Sequence, residues 1–233
     1  MKIFLIITAF ILLIGLLRIG ELYTQLARYK VYWNKYNQQT LAHPKTNGIR
    51  YYALGDSAAQ GIGASSPKKG YTNLIAEFLS STRTRPIEFI NLSKSGATVD
   101  DAINEQLPIL KSLGVEKDAV VTVEIGANDM ANFNPEKFEQ SMDKFMSELP
   151  KQTVISDIPS FAGGRFSDRE KSVLEANKII VRLSDKHSLR RALLYDRVAT
   201  NHGISTLASD FFHPSNKGYR ENWAPAFIEQ LRN

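Results

Sequence analysis

After residue 48, short runs rich in β-branched and aromatic residues alternate with longer stretches in which apolar residues recur every three or four positions. The first pattern predicts buried strands, and the second predicts amphipathic helices. Helices are predicted over 70–81, 98–113, 134–149, 167–187 and 216–232. Strands are predicted over 49–54, 87–92, 118–126, 152–158 and 191–196.

Several of these helices carry start signals. Thr98 and Asn134 stand where N-caps are expected, and Pro135 suits a first helical position. Ser167 and Glu170 have the spacing of a capping box. In the C-terminal helix, Pro225 predicts a kink or an interruption.

Regular alternation of strands and helices predicts an α/β fold in which helices cover both faces of a five-stranded parallel sheet. Right-handed crossovers make this a three-layer sandwich. In such sheets ligands bind beyond the carboxyl ends of the strands, near the point where the strand order reverses.

The N-terminus has a different pattern. Between Lys2 and Arg18, the segment Ile3–Leu17 contains 15 uncharged, mostly apolar residues. As a helix it spans roughly 22 Å, which is shorter than the ~30 Å hydrocarbon layer of a membrane. Residues 1–18 therefore predict a transmembrane anchor or a signal segment. The lack of an A-x-A-like cleavage site favours the uncleaved anchor.

The sequence indicates less clearly on which side of the membrane the main domain lies. Basic residues C-terminal to the apolar segment (Arg18, Arg28, Lys30 and Lys35) favour a cytoplasmic domain by the positive-inside rule. Long domains cross membranes largely regardless of such charges. We expect a membrane-anchored protein with an extracytoplasmic catalytic domain, and the alternative is secretion after signal cleavage.

Residues 19–48 predict an amphipathic helix followed by a linker at 41–48, whose Pro, Asn and Gly favour turns. One possibility is a self-associating or membrane-interfacial helix. The other is a helix that packs its apolar stripe on the main domain. The stripe consists of Ile19, Leu22, Leu26, Tyr29, Trp33 and Tyr36.

Composition narrows the class of protein. The chain has 233 residues, 43% hydrophobic content and a net charge of +5, with its basic residues scattered. This pattern indicates a solvated basic surface with mild attraction to anionic lipid, and no nucleic-acid partner is expected. The sequence contains no cysteine, so disulfides, thiolate catalysis and cysteine metal sites are excluded.

Residues able to support nucleophilic catalysis follow the predicted strands. Ser57 follows the first strand within "GDSAAQG", and His213 lies in "DFFHP" after the fifth. Imidazole can take the serine proton, and Asp210, three residues before His213, can orient that imidazole. Considered alone, these motifs are also typical of a helix start and of a turn.

An oxyanion formed during acyl transfer needs hydrogen-bond donors. Three are available at the same edge of the predicted sheet: the backbone N–H of Ser57, the backbone N–H of Gly96 and the side-chain amide of Asn128. Each of the last two is equally suited to a turn or a helix cap. Their joint occurrence with Ser57 and His213 favours a catalytic site.

These blocks together resemble the SGNH hydrolase superfamily, also called GDSL lipases and acylhydrolases. "GDSAAQG", "NLSKSGAT", "GAND" and "DFFHP" occur in the order of the family's four blocks, within a domain at 49–233. The resemblance implies a flavodoxin-like α/β/α sandwich and serine-esterase chemistry without metal or cofactor. It implies a triad of Ser57, His213 and Asp210, and an oxyanion hole of Ser57, Gly96 and Asn128.

The expected function is hydrolysis of carboxylic esters through an acyl-enzyme on Ser57, with a small-molecule, lipid or glycan ester as substrate. One alternative is an O-acetyl esterase or acetyltransferase that acts on envelope glycans. Another is a membrane-tethered binding module whose catalysis has lapsed. Residues 64–71 and 160–166 are expected to line or cover the site, because such loops set substrate choice.

Overall fold

A single parallel sheet organises the chain. The computed structural model describes the backbone of residues 2–232 and the side chains of residues 20, 21 and 23–232. Five strands pair in the order β2-β1-β3-β4-β5, which confirms the predicted α/β class and the five-stranded parallel sheet. The strands are β1 (Ile49–Gly55), β2 (Ile87–Asn91), β3 (Val120–Glu124), β4 (Val154–Ser156) and β5 (Arg190–Ala192).

Helices cover both faces of this sheet. Helices α1, α3 and α8 contribute to the core on one face, and α4, α5 and α6 contribute to the core on the other. The helices are α1 (Lys2–Ala42), α2 (Ser57–Gln60), α3 (Tyr71–Thr82), α4 (consecutive segments Val99–Asp101, Ala102–Gln106 and Leu107–Leu113), α5 (Pro135–Ser147), α6 (Glu170–His187), α7 (Leu194–Thr200) and α8 (consecutive segments Asn216–Gly218, Tyr219–Trp223 and Ala224–Leu231).

The side chains of β1 divide between these two cores. Tyr51 and Ala53 belong to the core under α1, α3 and α8, whereas Tyr52 and Leu54 belong to the other. Successive strand residues point to opposite faces, so a strand covered on both sides is apolar throughout. This explains why the predicted strands are mainly apolar and do not alternate strictly between apolar and polar residues.

Two helices widen just before a proline. In α8 a π-helical turn, Tyr219–Trp223, precedes Pro225, and in α4 another, Ala102–Gln106, precedes Pro108. Proline lacks an N–H and its ring crowds the preceding turn, and a wider turn accommodates both. The interruption predicted near Pro225 is therefore a local widening within a continuing helix.

The capping predictions have different outcomes. Thr98 forms a capping box with Asp101, and Asn134 accepts a hydrogen bond from the Lys137 N–H, so both predicted caps are confirmed. The predicted capping box at 167–170 is wrong. A 3₁₀ turn occupies Ser167–Arg169 and the helix begins at Glu170, whose carboxylate is hydrogen-bonded elsewhere.

The fifth strand is shorter than predicted. It ends at Ala192, and α7 begins at Leu194 within the expected strand 191–196. The cause lies in β4, because Asp157 follows that strand and its Oδ1 accepts hydrogen bonds from Leu194 N (2.7 Å) and Tyr195 N (2.8 Å). A carboxylate that accepts two such N–H groups supports a helix start, which apolar patterning does not reveal.

Helix α1 packs on the main domain through aromatic residues of its apolar stripe. Tyr29 and Trp33 are 5% and 2% exposed, and the Trp33 ring contacts Phe89 of β2 at a centroid distance of 5.3 Å. Of the two predicted arrangements, the structure shows packing on the domain, and self-association is not shown. The helix ends at Ala42, two residues into the predicted linker 41–48.

The predicted anchor or signal segment, residues 1–18, falls on residues whose side chains lie outside the described part of the chain. Where side chains are described, no helix has both the length and the apolarity needed to cross a membrane.

Candidate active site

The strand order reverses between β2 and β3 on either side of β1. The chain passes from β1 to β2 on one side and then returns past β1 to β3 on the other. A crevice forms at the carboxyl ends of strands at such a point, because the crossover connections leave in opposite directions. Ser57 follows β1 and Asn128 follows β3, so both lie at this crevice.

Ser57, His213 and Asp210 form a continuous hydrogen-bonded chain. The Oγ of Ser57 lies 2.9 Å from Nε2 of His213, and Nδ1 of His213 lies 2.5 Å from Oδ2 of Asp210. Ser57 and His213 are 156 positions apart, so only the fold brings the serine and the imidazole together. The side chains of His213 and Asp210 are 12% and 11% exposed, which limits solvent screening.

The loop around Asp210 holds this acid in place. Its Oδ1 accepts hydrogen bonds from Phe212 N (3.1 Å) and His213 N (3.0 Å). Burial alone would raise the pKa of Asp210, but the contact with the His213 imidazole and the two N–H groups outweigh burial and lower the pKa. The carboxylate therefore stays ionised where it can stabilise an imidazolium.

Asp56 positions the residue beside it. Its Oδ1 accepts a hydrogen bond from Ala58 N (2.9 Å), so Asp56 caps α2 and places Ser57 at the first position of that helix. Burial raises the pKa of Asp56 to about 6, and the Ala58 N–H and the charge of His213 act in the opposite direction. Above that pH the Asp56 carboxylate is charged within the site.

Two backbone N–H groups are available for an oxyanion. Ser57 begins α2, and the first N–H groups of a helix have no partner within it. Gly96 has a φ of +80° in an exposed loop after β2, a conformation that favours glycine. Within the described part of the chain, neither N–H donates to another backbone carbonyl.

The side-chain amide of Asn128 is already engaged. Its Nδ2 donates to Oδ2 of Asp56 and to the carbonyl oxygen of Ala97, both at 3.0 Å. The amide is thereby oriented at the crevice. It would have to share or exchange one of these two hydrogen bonds to donate to an oxyanion.

Gly63 permits close approach of two loops at the site. Its φ is +91°, and a Cβ on it would lie 2.5 Å from the Pro214 carbonyl oxygen and 2.8 Å from Cβ of His213. Only glycine fits both the conformation and the space. The segment that follows α2 can therefore pack directly against the segment that carries the histidine.

A cleft of about 440 Å³, including space open to solvent, lies beside Ser57 and His213. Aromatic side chains form much of its wall, which suits an apolar part of a ligand. Of the loops expected to line the site, 160–166 does so through Ser160 and Phe161, whereas no residue of 64–71 does. The apolar wall residues are Ala58, Ala127, Pro159, Phe161, Val198, Leu207, Phe212, Pro214 and Trp223.

Glu170 supports the loop that lines this cleft. Its carboxylate accepts hydrogen bonds from Ser160 Oγ (2.8 Å), Phe161 N (2.6 Å) and Tyr195 OH (2.7 Å). The residue predicted to cap a helix thus fixes the wall of the cleft instead. Three hydrogen bonds to one carboxylate are typical of a rigid loop rather than a mobile one.

Glu124 is a site residue that sequence patterning did not identify. It ends β3, lines the same cleft and is 2% exposed, and its Oε2 has no hydrogen-bond partner among the described residues. Burial raises its pKa well above the ordinary value, and the nearby Asp56 carboxylate adds to the increase. The one signal in the sequence is a single acid within an otherwise apolar strand.

This environment predicts how Glu124→Gln changes stability. The folded state favours protonated Glu124. When the pH rises above the pKa of this glutamate in the unfolded chain, it ionises there but stays protonated in the folded protein, so the free energy of unfolding of the protein declines. We expect Glu124→Gln to remove this decline. The variant should therefore lose less free energy of unfolding than the parent between pH 5 and pH 8.

Urea denaturation at the two pH values measures this difference. Glu170→Gln is the matched control, because the Glu170 carboxylate accepts three hydrogen bonds, whereas Oε2 of Glu124 has no partner among the described residues. If Glu124→Gln and the parent lost equal free energies of unfolding between the two pH values, Glu124 would be ionised in the folded protein.

The remaining histidines lie apart from the hydrogen-bonded chain. His43 and His187 contact Gln39 and Asp143, and His202 Nδ1 lies 2.7 Å from the Ala199 carbonyl oxygen, beside a neighbouring cleft. No group of three or more His, Cys, Asp or Glu side chains is arranged to hold a metal ion within the part of the chain whose side chains are described.

Comparisons with known proteins agree with this fold. A model of the GDSL-like lipase/acylhydrolase family matches residues 53–221. No curated protein matches the chain. The acetylxylan esterase Axe2 from Geobacillus stearothermophilus is 17% identical, with a TM-score of 0.65 over 81% of this chain and 97% of that one.

Two further solved structures are similar to this chain. An α/β hydrolase, LAE5, from the metagenome of Lake Arreo, Spain, is 20% identical, with a TM-score of 0.64 over 80% of this chain and 96% of that one. A lipase/acylhydrolase from Enterococcus faecalis is 19% identical, with a TM-score of 0.63 over 79% of this chain and 96% of that one. At these identities the structural similarity establishes the fold.

Proposed function

Because this chain belongs to the GDSL-like lipase/acylhydrolase family and is an ester-cleaving hydrolase, we propose that Ser57, His213 and Asp210 are its catalytic triad. The observation that carries this proposal is the continuous contact from Ser57 Oγ through the His213 imidazole to the Asp210 carboxylate. This contact supports a proton transfer from the serine hydroxyl to the imidazole.

The reaction begins with attack of Ser57 Oγ on the acyl carbonyl carbon while Nε2 of His213 takes the hydroxyl proton. Asp210 accepts a hydrogen bond from Nδ1 and stabilises the imidazolium. The resulting tetrahedral intermediate carries a negative oxygen. When it collapses, the carbon–oxygen bond to the alcohol breaks and the imidazolium protonates the leaving alkoxide.

Water then attacks the acyl-enzyme with His213 again as general base. Collapse of the second intermediate releases the carboxylic acid and returns the proton to Ser57 Oγ. The N–H groups of Ser57 and Gly96 and the amide of Asn128 would donate to the oxyanion in both steps. The present contacts of Asn128 with Asp56 and Ala97 support this position, because they hold the amide at the crevice.

The apolar cleft beside Ser57 supports a carboxylic ester with an apolar acyl or alcohol part. An O-acetyl esterase or acetyltransferase acting on envelope glycans stays an alternative, since acetyl is small enough for the same cleft. Acetyl release from an acetylated polysaccharide, compared with hydrolysis of a graded acyl-ester series, separates the two. A lapsed binding module is disfavoured by the intact hydrogen-bonded chain.

Covalent labelling tests the triad directly. A fluorophosphonate reacts with a serine only when a base activates its hydroxyl, so we expect stoichiometric labelling of Ser57. Peptide mapping by mass spectrometry identifies the labelled residue. A folded protein that is not labelled at Ser57 would support the lapsed binding module and contradict the triad.

We also propose that residues 1–18 anchor the protein in a membrane, as the uncharged segment Ile3–Leu17 suggests. Residues 19–48 would then connect this anchor to the hydrolase domain at 49–233. An extracytoplasmic position of that domain, and secretion after cleavage as its alternative, stay predictions from sequence.

A further inference from the structure

We propose that the catalytic edge of the domain, defined as the loops that carry Ser57, Gly96, Asn128 and His213, faces the surface of a lipid bilayer. The enzyme would then hydrolyse esters of amphiphilic molecules held in that membrane. This inference rests on the proposed triad and on the proposed anchor. Three independent features of the described residues carry it.

The first feature is the direction of α1. Lys45, just beyond its C-terminal end, donates from Nζ to the Ile87 carbonyl oxygen at the start of β2 (2.9 Å). Asn37, within the helix, exchanges two hydrogen bonds with the backbone of Asn91 at the end of β2 (2.7 and 3.0 Å). Helix α1 therefore runs antiparallel to the strands, and its N-terminal end points beyond their carboxyl ends, past the catalytic edge.

The second feature is the short distance between α1 and the triad. Gln25 Oε1 accepts a hydrogen bond from Gly63 N (3.2 Å), and Tyr29 OH donates to the Ala64 carbonyl oxygen (2.7 Å). Gly63 packs against His213, so Gln25 lies at the level of the catalytic histidine. Gln25 and Asp210 also line one depression.

These contacts locate the membrane boundary relative to the site. Arg18, which follows the apolar segment, lies seven positions before Gln25. At a rise of about 1.5 Å per residue, Arg18 lies about 10 Å beyond Gln25 along the helix. The headgroup layer on each side of a bilayer is about 5–8 Å thick. With Ile3–Leu17 in the hydrocarbon, the level of His213 would lie within a few ångströms of the headgroup layer.

The third feature is the surface chemistry of this edge. Ile204 and Phe211 are 78% and 49% exposed, and both lie in the connection from α7 to α8 that carries Asp210 and His213. Exposed lysines occur at Lys68 and Lys69, in the connection from α2 to α3, and at Lys217, in the first turn of α8. Apolar side chains among lysines are typical of a surface that binds an anionic lipid headgroup layer.

Phe211 is held outward by its backbone. Its φ is 56°, an uncommon conformation for a bulky residue. The conformation is maintained by hydrogen bonds from Phe211 N to the Ala208 carbonyl oxygen (3.0 Å) and from Arg165 N to the Phe211 carbonyl oxygen (2.7 Å). An exposed aromatic ring in a constrained conformation next to the catalytic acid suits insertion at a membrane interface.

A change of helix length tests the proposal. Full-length protein is reconstituted in vesicles of equimolar phosphatidylcholine and phosphatidylglycerol. Seven helix-forming residues are inserted between Gly20 and Glu21, which moves the catalytic edge about 10 Å from the bilayer and rotates it by only about 20°. The matched control carries the same seven residues between Met1 and Lys2, before the apolar segment.

Two fluorogenic esters with the same acyl group are compared, one water-soluble and one attached to a dialkyl lipid within the vesicles. We expect the Gly20–Glu21 insertion to lower turnover of the bilayer ester at least about tenfold, because the carbonyl no longer reaches Ser57. The control insertion should leave that turnover unchanged, and both variants should hydrolyse the soluble ester like the parent.

Equal turnover of the bilayer ester by the two insertion variants would overturn the proposal. So would a parent that hydrolyses only the soluble ester. A parent that hydrolyses neither ester would instead contradict the proposed function, so the two failures are distinguishable.

Point substitutions decide the matter if the insertion variant does not fold. Ile204→Ser should lower turnover of the bilayer ester about threefold or more, with soluble turnover unchanged. Ile109→Ser is the matched control. Ile109 is 47% exposed and lies near the C-terminal end of α4, on the side of the domain away from the catalytic edge. Equal bilayer turnover by the two variants would overturn the proposal.

Discussion

Replacement of Ser57 or His213 by alanine should abolish hydrolysis of a p-nitrophenyl ester. Without Ser57 Oγ there is no acyl-enzyme, and without His213 nothing takes the hydroxyl proton 2.9 Å away. We expect kcat to fall by about 10⁴–10⁶ in either variant, because members of a triad act as a unit. For the same reason, the double variant should be no less active than either single variant.

Matched controls separate this effect from general damage to the site. Ser66→Ala changes a nearby serine whose side chain does not cap the turn that follows it. His202→Ala changes a histidine beside the neighbouring cleft. Both should keep kcat within a fewfold of the parent. Substantial activity in purified, folded Ser57→Ala would end its assignment as the nucleophile, and activity in His213→Ala would require another base.

The second large effect is expected at Asn128. Asn128→Ala removes an oxyanion donor, so kcat should fall by about 10²–10³ while KM changes little, since the donor acts mainly on the transition state. The substitution also removes hydrogen bonds to Asp56 and Ala97. A thermal unfolding curve for each variant therefore accompanies the kinetics.

Asn132→Ala is the control, because Asn132 is exposed and belongs to the same 3₁₀ segment, Asn128–Asn132. It should leave kcat unchanged. A parent-like kcat in Asn128→Ala would remove Asn128 from the oxyanion hole. The N–H groups of Ser57 and Gly96 would then be the donors that remain.

The order of elements could be predicted from the sequence because local patterning reports burial. Strands buried on both faces are largely apolar, as in β1 over Tyr51–Leu54, and in helices with one buried face apolar residues recur every three or four positions. Thr98 and Asn134 were predictable as caps because a cap contacts a backbone N–H only a few residues away. The 167–170 prediction failed because the Glu170 carboxylate accepts hydrogen bonds from Phe161 N and Tyr195 OH instead.

Long-range partners were not predictable in the same way. Glu124 stands out in the sequence only as an acid in an apolar strand, and the fold alone buries it near Asp56 with no hydrogen-bond partner for its Oε2 among the described residues. The sequence likewise left open whether the apolar stripe on α1 packs on the main domain or has another role. Packing of Trp33 on Phe89 depends on the shape of a surface formed by residues far away along the chain.

The sequence by itself determined the α/β class, the five parallel strands and the set of residues suited to ester hydrolysis. These follow from the period of apolar positions and from chemical groups that follow strands. Only the tertiary structure decided that Ser57 Oγ meets His213 Nε2 and that Asn128 contacts Asp56. It also decided that α1 passes beside the site. Such contacts join segments tens to more than a hundred residues apart, and packing of the whole chain is the only thing that sets their distances.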